Sequence, residues 1–222
     1  SHGEIIKLIA VDDSFHDAYS FAKAIRYLSE NNLEFLATKV ETCNSLLEPI
    51  NSNTKYNISS SIATMIDNHE YDELFYRHCT YGIKPPAPGF FFTKKCFIMH
   101  GKFDEDYIIA EDSPMWCRLL REEAKIGYLD LITVKYRIGD GISTNGKLNR
   151  VLINDQIKKI EKEILTYKKK LPYYTVRINK YRYKKLKYKL ENKGTVDLIL
   201  LMIRYLDVII TTHLKIFREK NL

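Results

Sequence analysis

Cysteine, proline and glycine are all sparse in this 222-residue chain, at four, six and nine residues, and there is a single tryptophan. The cysteines, Cys43, Cys79, Cys96 and Cys117, form no C-x-x-C pair and share no ligand spacing with a histidine. That excludes a zinc-finger type of site and a disulfide framework, so reduced thiols in a cytoplasmic protein are expected. His16, His69, His78, His100 and His213 stand in no ligand spacing either. No basic segment followed by an apolar one opens the chain, so no secretory signal is read. The first residues are Ser1-His2-Gly3 rather than methionine, and a fragment or a processed form is expected. A long uncharged apolar run is lacking too: the segment from Val196 to Phe217 is broken by Arg204, Asp207 and His213. Central charges of that kind are costly in a membrane span.

What is present suffices for a folded domain. Hydrophobic residues make up 45%, aromatics 12% and charged residues 28%, which argues against global disorder. The length fits one large domain or one domain with an appendage. The net charge of +7 hides an asymmetry: residues 150–222 hold 19 Lys and Arg against 7 Asp and Glu, whereas residues 1–149 hold 16 against 21. A boundary near residue 150 is therefore expected, with an acidic part before it and a strongly basic part after it.

Periodicity predicts alternating strands and helices up to that boundary. The apolar run from Glu4 to Val11 reads as a buried strand that delivers Asp12 and Asp13 to its carboxyl end, where α/β sheets place their ligands. A helix is predicted over 17–32 and a strand over 33–40, followed by an Asn/Ser/Thr-rich loop over 44–60 and a broken helix over 62–81. Lys84-Pro85-Pro86-Ala87-Pro88-Gly89 cannot be regular structure. Strands are then expected at 90–93, 126–129 and 132–136, with helices at 94–100 and 111–124 and a Gly-rich loop at Gly139-Asp140-Gly141. From Leu152 onward the pattern is helical, with Ile153, Ile157, Ile160 and Ile164 as one stripe.

Two acidic pairs stand out, Asp12-Asp13 after a strand and Glu111-Asp112 at a helix start. Hard divalent cations take oxygen ligands, with one or two carboxylates completed by substrate phosphates and water. A second carboxylate near the reacting centre suits a general base. A structural reading stands beside both, because acids at a helix start are favoured by the helix dipole alone.

Four blocks, in order, resemble a family 2, GT-A type glycosyltransferase. Gly3-Glu-Ile-Ile-Lys-Leu-Ile-Ala-Val-Asp-Asp-Ser14 is similar to the family's G-x-Y-I-K-x-L-x-x-D-D strand. Phe92-Thr-Lys-Lys-Cys-Phe-Ile-Met-His-Gly-Lys-Phe-Asp-Glu105 is similar to its R-x-x-F-x-x-x-G-x-F-D-E stretch. Glu111-Asp-Ser-Pro-Met-Trp-Cys-Arg-Leu119 resembles E-D-x-x-x-W/L-x-R-L, and Tyr128-Leu-Asp130 with Val134–Ser143 resembles the close of the fold. The resemblance implies an α/β, GT-A Rossmann-like mixed sheet over 1–149 followed by an α-helical basic tail over 150–222. It implies transfer of a sugar from a nucleotide-sugar, of the UDP type, to a saccharide or lipid-linked hydroxyl acceptor, by an inverting route that uses Mn²⁺ or Mg²⁺. Surface polysaccharide or glycolipid synthesis of bacterial type is the implied setting. Asp13, with Asp12, would hold the metal, and Asp12 would also help bind the donor. Asp112 would be the base, supported by Glu111. Arg137 would face the donor diphosphate or serve as a structural residue at a strand end, and Trp116 would line the acceptor pocket or be a buried aromatic. Arg118 is expected as an ion-pair partner. The chain departs from the family in placing Ala10 where the first metal-binding aspartate usually stands, and the family's opening nucleotide-binding strands would precede residue 1.

The tail interleaves Tyr173, Tyr174, Tyr181, Tyr183 and Tyr188 with Arg177, Lys180, Arg182, Lys184, Lys185, Lys187 and Lys189. Such a surface suits anionic lipid headgroups, and the resemblance implies a cytoplasmic protein held peripherally on the inner face of the membrane. The tail surface suits a single nucleic-acid strand less well, and the plain alternative is a solvated helix. Homo-oligomerisation through Val196–Phe217 is a further expectation. The rival to the enzyme reading is a non-catalytic GT-A fragment whose tail mediates membrane attachment or oligomerisation.

Overall fold

The computed structural model describes residues 3–50, 57–139 and 149–220, except the side chains of residue 213 and residues 215–220. The chain has an α/β fold. Five strands form one mixed sheet in the order β1-β4-β3-β5-β2: β1 (Ile5–Lys7), β2 (Ser14–Phe15), β3 (Phe35–Cys43), β4 (Phe90–Thr93) and β5 (Ile126–Arg137). The long central pair, β3 and β5, is parallel and runs from Phe35 opposite Ile126 to Cys43 opposite Arg137, with register shifts around Lys39. β4 is antiparallel to both β1 and β3, and β2 is antiparallel to β5.

Strand alternation sorts the apolar residues into two layers. Leu36 and Phe91 point to one face, where Ala24 and Leu28 of helix α1 (Ala18–Glu30) cover them. Phe35, Ala37, Phe90 and Phe92 point to the other face. There they meet α2 (Ser60–Asp67), α3 (Tyr71–Tyr81) and α5 (Asp112–Arg121), while the short α4 (Lys94–His100) follows β4. This explains the Phe90-Phe91-Phe92 run: a strand covered on both faces is apolar at every position. Asp17 caps α1 by accepting from the Ser20 N–H at 2.6 Å.

The charge break near residue 150 is not a break in packing. Helix α6 (Asn149–Lys159) runs into a π-type turn at Ile160–Leu165, and Ile160, Ile164 and Leu171 belong to the same core as Phe35 and Trp116. Helix α7 (Tyr173–Leu190) follows, then α8 (Thr195–Arg204) and α9 (Leu206–Lys220). The helical stripe Ile153, Ile157, Ile160, Ile164 is buried as expected.

Two expectations are corrected, and a third segment is divided. The strand predicted from Glu4 to Val11 is only Ile5–Lys7, at the sheet edge, and Leu8, Ile9 and Val11 are exposed. Beyond Lys7 the chain leaves β4, its one neighbour, and turns at Val11-Asp12. The two strands predicted at 126–129 and 132–136 are one strand, β5, because the irregularity between them is absorbed as register shifts against β3. The segment Val196–Phe217 is two helices broken at Tyr205, whose one apolar stripe (Leu201, Tyr205, Val208) packs on Ile178 and Tyr181 of α7. Among the described residues no helix is long and apolar enough to cross a membrane. Of the predicted Gly-rich loop, Asp140 and Gly141 lie outside the described residues.

Candidate functional site

The Asp12-Asp13 pair sits in the turn between β1 and β2, at the edge where β2 joins β5. The Asp13 Oδ1 accepts the backbone N–H of Arg137 at 3.0 Å, which fastens the turn to the end of β5. Its other oxygen, Oδ2, is buried and has no hydrogen-bond partner. A buried carboxylate oxygen left unmatched is costly unless water or a ligand completes its shell, and Asp155 Oδ1 is in the same state. Burial raises the Asp13 pKa, the Arg137 N–H opposes that, and the neighbouring Asp12 adds to it. The Arg137 guanidinium lies 3.5 Å from the Asp12 carboxylate, so one cation already faces the pair.

A second cation comes from Lys7, at the end of β1. Its ammonium donates to the Pro88 carbonyl and lies 4.6 Å from the centre of the Phe91 ring. Burial pulls its pKa down to about 7, against the pull of Asp13. Lys7 thus reaches from the Asp13 turn to the proline-rich loop. That loop is held to the sheet at Gly89, where a Cβ would collide with the Thr38 carbonyl. Thr38 Oγ1 donates to the Gly89 carbonyl at 3.0 Å and meets Thr133 Oγ1 at 2.7 Å.

The other end of the same loop holds the second acidic pair. Lys84 forms an ion pair and hydrogen bond with Asp112, both side chains being about one-fifth exposed. Burial works against ionisation of Asp112, but Lys84, helped by His78 and the Ser113 N–H, outweighs it and holds the pKa below the ordinary value. Glu111 stands at the N-cap of α5, and there burial, with the Asp112 and Asp155 carboxylates adding to it, raises its pKa against the weaker pull of its own N–H and of Lys84. His78 is fixed by Ser113 Oγ at 2.9 Å and the Ile83 carbonyl at 3.1 Å.

The predicted residues therefore fall into two groups. Asp12, Asp13 and Arg137 are brought together, and Glu111 and Asp112 are adjacent. Among the described residues no hydrogen bond or ion pair runs directly from one group to the other; the loop from Lys84 to Gly89 is the link. Of the two readings of Trp116, the structure shows the buried aromatic: it is 1% exposed and packs against Phe35. It sits on the inward face of α5, with Met115, Leu119 and Leu120, because that face must cover the sheet. Arg118 is corrected, since it donates to the Gly101 and Lys102 carbonyls rather than to an acid.

Sequence reading missed three residues. Lys7 stands at the lysine of the G-x-Y-I-K-x-L-x-x-D-D block but takes no role from it, and Lys84 carries no signal of its own, since a lysine next to a proline loop looks like any surface lysine. Asp155 of α6 is 1% exposed, and its Oδ2 accepts the N–H groups of Ile108, Ile109 and Ala110 at 3.0, 2.8 and 3.2 Å. A helix of the basic tail thereby fixes the loop that ends at Glu111. Its only sequence signal was an acid beside the buried Ile153 and Ile157 stripe.

The fit to a divalent cation rests on the donor set. Asp12 and Asp13 offer two carboxylates, one with an unmatched oxygen, which suits Mg²⁺ or Mn²⁺ when phosphate and water supply the remaining positions. Among the described residues no group of three or more His, Cys, Asp or Glu gathers to hold a metal unaided. Comparison with protein-family models and with curated proteins finds no match.

Proposed function

We propose that the chain is the carboxy-terminal part of a GT-A, Rossmann-like catalytic domain of family 2 type, which transfers a sugar from a UDP-sugar to a hydroxyl acceptor. The observation that carries this reading is the unmatched Asp13 Oδ2 beside Asp12 and Arg137 at one end of the sheet. Asp12 and Asp13 would hold Mn²⁺ or Mg²⁺, and the bound ion would neutralise charge on the departing diphosphate. Arg137 supplies a fixed positive charge at the same place, where an oxyanion develops as the anomeric carbon–oxygen bond breaks. Asp112 takes the proton of the acceptor hydroxyl as that oxygen bonds to the anomeric carbon, and Lys84 keeps it ionised before the step. Asp155, by fixing the loop before Glu111, positions the helix start that bears the base.

One observation favours the non-catalytic alternative. Val196, Ile199, Leu200, Ile203, Leu206 and Leu214 are each at least half exposed along α8 and α9, a face suited to attachment or assembly.

The enzyme reading is tested by release of UDP from UDP-sugars with Mn²⁺. Asp112→Asn should lower turnover by about 100-fold or more, the usual worth of a positioned base, with UDP affinity unchanged. An unaltered rate in that variant removes Asp112 from the chemistry.

A further inference from the structure

Helix α7 docks on the carboxyl end of α3 through its polar side chains. Asn179 donates to the Cys79 carbonyl at 2.9 Å, and Arg182 donates to the Cys79 and Thr80 carbonyls at 3.2 and 2.7 Å. These are among the last carbonyls of α3, which lack partners within the helix. Between α3, α6, α7 and the start of α8 this docking leaves a cavity of about 760 Å³, within the range of small-ligand sites.

The lining is one-sided in charge. It includes Lys159, Arg182, Lys185, Lys189 and Lys193, and no carboxylate. Lys193 has Glu191 at 3.9 Å, but among the described residues Lys159, Lys185 and Lys189 have no acid within ion-pair distance. Arg182, Lys185 and Lys189 follow one another at helical spacing on one face of α7, where like charges repel. Lys159 is half-buried at the inner side, where burial lowers its pKa against the pull of Cys117, Cys79 and Asp112. The opposite part of the wall is apolar, formed by Ile160, Ile164, Leu186 and Leu198.

Lys159, Lys185 and Lys189, with no acid at ion-pair distance among the described residues, line one concave surface with Arg182. Such a surface calls for an anion with several acceptor oxygens, such as phosphate, to which Lys and Arg together are suited. The apolar wall calls for a ligand that is more than the anion alone. Asp12, Asp13, Asp112 and Arg137 do not line this cavity, although its wall includes His78, which also faces Asp112. We propose that the cavity is a binding site for a phosphate-bearing ligand, with the phosphate among Lys159, Arg182, Lys185 and Lys189 and the remainder against the apolar wall.

The test uses the whole chain with two probes: inorganic diphosphate followed by titration calorimetry at low salt, and phosphatidylcholine vesicles with or without phosphatidic acid followed by co-sedimentation. Lys185→Ala/Lys189→Ala removes two exposed rim cations, and Lys168→Ala/Lys169→Ala removes the same charge at exposed positions outside the cavity. The rim variant should weaken binding by about tenfold or more, with the second variant close to the parent. Loss confined to diphosphate assigns a soluble phosphate ester, and loss confined to phosphatidic acid vesicles assigns a lipid headgroup. Equal weakening in both variants, or binding of neither probe by the parent chain, overturns the proposal.

Discussion

Asp12-Asp13 and Glu111-Asp112 read alike as adjacent acids beside an apolar segment, yet the fold treats them in opposite ways. Asp112 is matched inside the protein, where Lys84 holds it ionised. Asp13 is left short: one oxygen takes a backbone N–H, the other takes nothing, and burial pushes its proton affinity up. A carboxylate the protein satisfies costs little to bury, whereas one it leaves short of partners is held at a cost.

Glu34 sets the standard for a fully matched carboxylate. It accepts from His100 at 3.0 Å and from the Lys125 N–H at 3.0 Å, with Lys95 at 3.1 Å. Burial raises its pKa, but these partners prevail and bring it to about 2 from 4.5. A depressed carboxyl adds stability that is present above pH 4.5 and is lost as pH falls toward 2. Glu34→Gln should therefore cost about 2–3 kcal/mol in urea unfolding at pH 7, and the gap to the parent should close over that acid window. A gap that persists unchanged at pH 2 would show that its partners matter for packing rather than charge.

Asp112→Ala comes next. Removing it strands the partly buried Lys84 ammonium, and a cost of about 2 kcal/mol is expected, read from the same unfolding curves. Asp13→Asn should behave in the opposite sense. With the folded pKa raised, ionisation of Asp13 penalises the folded state increasingly as pH rises above 3.8. The variant should match the parent or exceed it by up to about 1 kcal/mol at pH 7, with the difference fading below pH 3.8. If Asp13→Asn were the more damaging of the two, the contrast between the pairs would be wrong.

Much of the frame was legible in the sequence because it depends on local pattern. The alternating helices and strands, the break at the proline loop, and the α5 start at Asp112 all follow from periodicity and punctuation. Leu8, Ile9 and Val11 misled because apolar residues imply burial only when a neighbour is there to cover them, and β1 has only β4. For Trp116 two readings stand side by side in the sequence, because a motif gives a residue's place on a helix, not which face that helix turns to the sheet. Lys7, Lys84 and Asp155 act across 81, 28 and about 45 residues of chain, and no single-sequence spacing encodes such a partner. Proximity of Asp12 to Arg137 is likewise a product of β2 pairing with β5.

The central claim, that Asp12-Asp13 is a donor and metal site, is tested most directly by the heat of UDP binding with and without Mn²⁺, for the parent chain and for Asp13→Ala. The account predicts UDP binding that requires Mn²⁺ and is lost in the variant. Mn²⁺-dependent binding that survives Asp13→Ala, or no binding by the parent at millimolar UDP, would contradict it.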